Sequence, residues 1–313
     1  MNKKQLLFVG VSVAIACALV ATALFTNVLE PENTGLDVVV SFYPLAYMAE
    51  EIGGERVNVR SLIPYNTEVH TWSPSPNDIV AADNADILLY NGAGLDHWFE
   101  DDVLPALGQK ERVVVETTEG LELIAGGDEH GEDEHDHGGY DPHTWLSPFM
   151  AQQQAEKIYD AFLKADPEGA DYYGQRWSNF SAKLTDIDSR YMSSLANNTN
   201  GTAIVSHGAY GYLAHRYGFE QHGIIGLSAD EQPSSSALAD IADLMVNENL
   251  RTLYMDPIYS DAYVQTLKVE LESRTGDDVI VLRLYLALGP TDGMDFLGQM
   301  EANLTNLERG LTG

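Results

Sequence analysis

The 313-residue chain contains one cysteine, Cys17, so no disulfide can form within it. Stability has to come from buried apolar surface or from a bound ion. Basic residues are also scarce: 17 Lys and Arg against 48 Asp and Glu leave a formal charge of −31. That balance repels a phosphate backbone over most of the surface and argues against nucleic acid as a partner. No fixed-period sequence repeat is present. What remains is 44% hydrophobic residues at a mean hydropathy of −0.18, the profile of a chain that folds mostly in water, with enough length for two domains. The acid excess fits solubility and attraction of cations equally well, and the charge alone does not choose between them.

One apolar stretch stands apart. Lys3 and Lys4 precede a run from Leu6 to Val28, and the polar segment Pro31-Glu32-Asn33-Thr34-Gly35 follows it. This has the form of an export segment, and its length exceeds the roughly 7–15 residues of a cleaved signal core. An uncleaved anchor over residues 1–35 is therefore expected, with the folded part outside the cytoplasmic membrane. Cys17 follows Ala14-Ile15-Ala16, a faint match to a lipoprotein cleavage box, but the apolar run continues beyond it.

Beyond residue 35, short β-branched runs closed by turn residues alternate with helix-like stretches. Asp37–Tyr43, Val57–Ile63, Asp86–Asn91 and Arg112–Thr117 precede the middle of the chain. Thr202–His207, Gly223–Leu227, Thr252–Asp256 and Val279–Tyr285 follow it. Near-continuous apolar strands alternating with helices imply parallel sheets covered on both faces. The expected architecture is α/β, with two lobes of four mainly parallel strands each. Trp177, Phe180, Leu184, Ile187, Tyr191 and Leu195 recur at spacings of three and four, which puts them on one helical stripe. A single long helix over residues 176–200 should join a first lobe at 36–175 to a second at 201–313.

The stretch 126–139, GGDEHGEDEHDHGG, cannot build a core. Its His130, His135 and His137 among carboxylates would collect divalent metal weakly, as an auxiliary loop. Three other histidines fall where open parallel sheets bind ligands, beyond the carboxyl ends of strands. His70 follows the second strand, His143 lies in Asp141-Pro142-His143-Thr144-Trp145 after the acidic stretch, and His207 closes the fifth strand. Three neutral imidazoles in a cleft suit Zn2+, with a carboxylate or water completing a tetrahedron. His97, His215 and His222 read as structural, the last as lying just before a strand.

From about Val38 to Leu307 the chain resembles the zinc- and manganese-type solute-binding proteins of ABC importers. The match rests on SFYPLAYMAEEIGG at 41–54, HTWSPSPNDIVAADNADILLYNGAGLDHW at 70–98, DPHTWLSP at 141–148, SHGAYGYLAHRYGF at 206–219 and MDFLGQMEANLTNL at 294–307. The resemblance implies two lobes joined by a rigid helix, metal held between them, and His70, His143 and His207 as ligands. It implies a membrane permease as partner, a monomeric binding protein rather than an enzyme, and Zn2+ ahead of Mn2+ because His207 stands where manganese binders carry a carboxylate. The family often supplies a fourth ligand, an aspartate near the end of the last strand, and none stands there in this chain. Asp256 is the first substitute, then Glu68 or water; Asp292 would need its loop to turn back. A zinc hydrolase is the rival reading, although no HExxH motif occurs; a metal-dependent adhesin is a third. Metal binding through neutral imidazoles should weaken as pH falls through the imidazole range.

Overall fold

A computed structural model describes residues 35–126, 139–197, 201–227 and 232–311. The apolar run with Cys17 and the auxiliary His130, His135 and His137 lie outside the described residues. Among those that are described, no helix is long and apolar enough to cross a membrane.

Four strands, β1 (Leu36–Val40), β2 (Val57–Ser61), β3 (Ile87–Tyr90) and β4 (Val113–Glu116), form one sheet in the order β2-β1-β3-β4. A second sheet of β5 (Thr202–His207), β6 (Glu220–Ile225), β7 (Thr252–Met255) and β8 (Ile280–Arg283) repeats that order as β6-β5-β7-β8. Every pairing within both sheets is parallel. The central strands explain why: Val38, Val39, Val40, Ile87, Leu88 and Leu89 are all buried, which a parallel sheet achieves by carrying helices on both faces. Emptying one such position, as in Leu88→Ala, costs about 2–5 kcal/mol. In each sheet the first and third strands of the half lie side by side, so successive connections leave in opposite directions and a crevice opens at their carboxyl ends.

The helices are α1 (Tyr43–Gly53), α2 (Pro76–Asn84), α3 (Pro148–Ala165), α4 (Ala170–Ser194), α5 (Gly211–Tyr217), α6 (Ser235–Asn247), α7 (Ala262–Thr275) and α8 (Phe296–Leu311). The linking helix α4 runs 25 residues and begins six positions earlier than the apolar stripe suggests, at Ala170. Its buried face comprises Tyr173, Phe180, Leu184, Ile187 and Tyr191, as the spacing requires. The first sheet, α4 and the inward side of the second sheet share one continuous apolar core. Ile204, Ile224, Met245, Leu253, Leu267 and Leu271 belong to a second cluster beneath α6 and α7.

Several strand boundaries depart from the sequence reading: β1 ends at Val40, with Tyr43 already opening α1, and β2 ends at Ser61. β6 starts at Glu220, so His222 lies inside the strand. An edge strand needs only partial cover, and its polar first half hides it from a search for apolar runs. β8 stops at Arg283; the following Leu284–Leu288 is buried but leaves the sheet.

Candidate metal centre

Three imidazoles meet at the carboxyl ends of the two sheets. One nitrogen each from His70, His143 and His207 falls within 4.8 Å of the other two. His207 is the last residue of β5, hence at the crevice of the second sheet. His70 rides on the loop after β2, and His143 precedes a short turn, Thr144–Leu146, that leads into α3. Ring centroids stand 5.0–5.7 Å apart. The Nε2 atoms of His70 and His143 are separated by 3.2 Å. A tetrahedral site with zinc–nitrogen bonds of about 2.05 Å has edges of about 3.3 Å, so this pair already holds that spacing.

The two buried rings are oriented by different means. The His143 ring Nδ1 and its backbone N–H both donate to Asp141 Oδ1, at 2.8 and 2.9 Å. With Nδ1 carrying the proton, Nε2 presents its lone pair towards His70, which is the tautomer a metal ligand needs. His207 Nε2 lies 2.7 Å from the Leu227 carbonyl oxygen and donates to it. Its Nδ1 is buried and meets no hydrogen-bond partner among the described residues, an orphan acceptor of the kind a cation satisfies. Both rings are almost wholly buried. Burial depresses His143 to about 3. Burial, and then the neighbouring His143, lower His207 to about 4. Both are therefore neutral and ready to coordinate at physiological pH. Burial also pushes the Asp141 carboxyl up to about 7, against the His143 amide and His207.

The loops are fixed by buried polar contacts. Asn91 Nδ2 donates to Pro142 O at 3.0 Å, and Gln154 Nε2 donates to Asn91 Oδ1 and Thr117 Oγ1 at 3.0 and 2.9 Å. Thr144 Oγ1 closes the ring by donating to Gln154 Oε1 at 3.0 Å. On the other loop, Glu68 Oε1 accepts the His70 amide at 2.8 Å. The Glu68 charge also reaches His207, raising it slightly.

Asp256 does not join the three rings. Its Oδ1 accepts the Ile258 amide at 2.7 Å and its Oδ2 the Leu286 amide at 2.6 Å. Both oxygens are thus committed to backbone donors, and burial raises the carboxyl to about 7. Asp292 is engaged by Arg283 and Tyr285, so its loop does not bring it back to the rings. His97 and His215 are exposed, and His222 faces Glu220. Asp141 and Gln154 escaped the sequence reading. Asp141 stands two residues before His143, a spacing that could have suggested an aspartate turn, whereas nothing local marks Gln154, which acts across the fold.

Two α/β halves with three imidazoles at their facing strand ends define a metal-binding protein of the bilobed solute-receptor class. The chain belongs to the ZnuA family, described as the periplasmic component A of a zinc-uptake complex, whose model matches residues 38–310. That description names a component of an uptake complex, not an enzyme. The high-affinity zinc uptake system protein ZnuA of Bacillus subtilis is 32% identical over 312 residues, spanning 96% of this chain and 97% of that protein. The zinc-binding lipoprotein AdcA of Streptococcus pneumoniae is 29% identical over 283 residues, covering 88% of this chain but only 55% of AdcA. The crystal structure of a zinc(II)-bound AdcAII variant of Streptococcus pneumoniae superposes with a TM-score of 0.77 at 29% identity, covering 89% of this chain and 99% of that one.

Proposed function

We propose that this chain captures zinc outside the cytoplasmic membrane, holds it with His70, His143 and His207, and delivers it to a membrane permease of an ABC importer. The observation that carries the reading is the convergence of three imidazole nitrogens, from two separate sheets, within 4.8 Å. Among the described residues no carboxylate belongs to that group, and a nitrogen-rich set favours Zn2+ over Mn2+, which prefers oxygen ligands. Water or Glu68 completes the tetrahedron, Glu68 being tied to the His70 amide. The ion is cargo, so the chemistry ends at binding and release. Residues 1–35 serve as the export segment and tether, and the protein works as a monomer. His130, His135 and His137 form an auxiliary collecting loop.

The test is zinc calorimetry on the exported domain with residues 127–138 deleted. One tight site per chain is expected to survive deletion and to vanish in His143→Ala. Loss of all tight binding on deletion would move the site to the loop and end the assignment.

A further inference from the structure

After β8 the chain leaves its sheet as a buried strap, Leu284–Leu288, in which Ala287 takes a left-handed φ of 54°. Alternate carbonyls of this strap each receive one donor from a different loop. Tyr210 Oη donates to Leu284 O at 2.8 Å, Trp145 Nε1 to Leu286 O at 2.9 Å, and the Asn66 amide to Leu288 O at 2.9 Å. Tyr210 stands three residues after His207, Trp145 two after His143, and Asn66 four before His70. The Trp145 ring also packs on the His143 ring, with centroids 5.2 Å apart. One five-residue segment of the second half therefore contacts the loops of all three histidines.

The strap is itself pinned. Asp256 Oδ2 accepts the Leu286 amide at 2.6 Å, and the Asp256 amide donates to Ser206 Oγ at 3.1 Å, beside His207. Asn303 Oδ1 accepts the Tyr285 amide at 2.7 Å while its Nδ2 donates to the Tyr285 carbonyl at 2.8 Å. We propose that Leu284–Leu288 is a template that sets the mutual spacing of the three histidines across the two halves, and that Asp256 and Trp145 are positioning residues acting through the backbone N–H and C=O of Leu286. This rests on the reading of the three histidines as zinc ligands.

The test compares Trp145→Phe, which keeps an aromatic ring, though a smaller one, and removes the indole N–H, with Asp256→Asn and the double variant. Zinc affinity is measured by competition with a chromophoric chelator, at a temperature where circular dichroism finds every variant folded. Cobalt(II) absorption reports the ligand set. Each single variant should bind zinc about 10–100-fold more weakly, the range for loss of an outer partner. The cobalt bands should keep their wild-type positions. The double variant should lose less than the product of the singles, because both act on the backbone of one residue, Leu286. Wild-type affinity in the folded single variants, a lowered melting temperature being their only defect, overturns the template. Shifted cobalt bands in Asp256→Asn overturn it in another way, by making Asp256 a ligand. His143→Ala is run alongside: wild-type affinity there would mean that the site reading itself has failed.

Discussion

The two halves repeat one strand order, β2-β1-β3-β4 and β6-β5-β7-β8, yet they supply the site in opposite ways. In the second half His207 ends a central strand, so the sheet fixes its backbone and a single bond to the Leu227 carbonyl orients the ring. In the first half both rings ride on loops, and side chains have to do the placing: Asp141, Asn91, Thr117, Thr144 and Gln154 are all buried and hydrogen-bonded for that purpose. A ligand on a strand end needs little support. A ligand on a loop needs a polar network, and a buried polar network is stable only when its members are satisfied.

The contrast between the halves breaks most decisively at the three histidines. His70→Ala, His143→Ala and His207→Ala should each cost more than the roughly 100-fold upper range for an outer partner, measured as the zinc dissociation constant by chelator competition. If His207→Ala alone bound zinc normally, the second half would contribute no ligand and the two-lobed site would be wrong. Asp141→Ala should follow, with about a 10–100-fold loss. The His143 ring would keep its place near the crevice, but nothing would hold the proton on Nδ1. Equal affinity in Asp141→Ala and wild type would show that the loop network already fixes the ring without it.

Much of this contrast was legible in the sequence, but unevenly. The eight strands announce themselves because buried parallel strands are apolar on both faces, and Val38-Val39-Val40 needs no partner to be recognised. His207 could be read because it ends such a run. The edge strand β6 hid its first three residues, Glu220-Gln221-His222, because half-exposed positions carry no periodic signal. Asp256 shows what the sequence hides: a carboxylate at a strand end looks like a ligand, and only the structure shows its two oxygens accepting the amides of Ile258 and Leu286. Such long-range backbone contacts leave no mark on a sequence.

A smaller effect is expected where the halves touch at Asp141. A Cβ on Gly211 would stand 2.5 Å from Asp141 Oδ2, inside van der Waals contact. Gly211→Ala should therefore displace the carboxylate that orients His143. Overpacking of this kind costs about 1–3 kcal/mol, and a weakening of zinc binding nearer the lower bound, several-fold, is expected by calorimetry. Unchanged affinity together with unchanged stability would mean that Asp141 has more freedom than its two bonds to His143 imply.

The smallest effect separates the buried rings from an ordinary imidazole. Exposed imidazoles titrate near about 6.5, and three of them would make zinc binding collapse between pH 7.5 and 5. Burial places His143 at about 3 and His207 at about 4, so both are already neutral throughout that range. Together they should change the affinity by less than about 1.5-fold down to pH 5, leaving no more than one of the three rings to compete with protons. Calorimetry at pH 6 in buffers of different ionisation enthalpy should find fewer than three protons released per zinc, at most about one from the rings and one from Asp141, whose carboxyl burial raises to about 7; release of three or more would contradict the burial. Stability of the metal-free fold depends on pH in the same direction. Both folded values lie below the unfolded one, so the unfolded chain takes up protons first and the metal-free fold loses this contribution as pH falls from about 6.5 towards 4. Acid should thus weaken the metal-free fold before it protonates the two buried imidazoles.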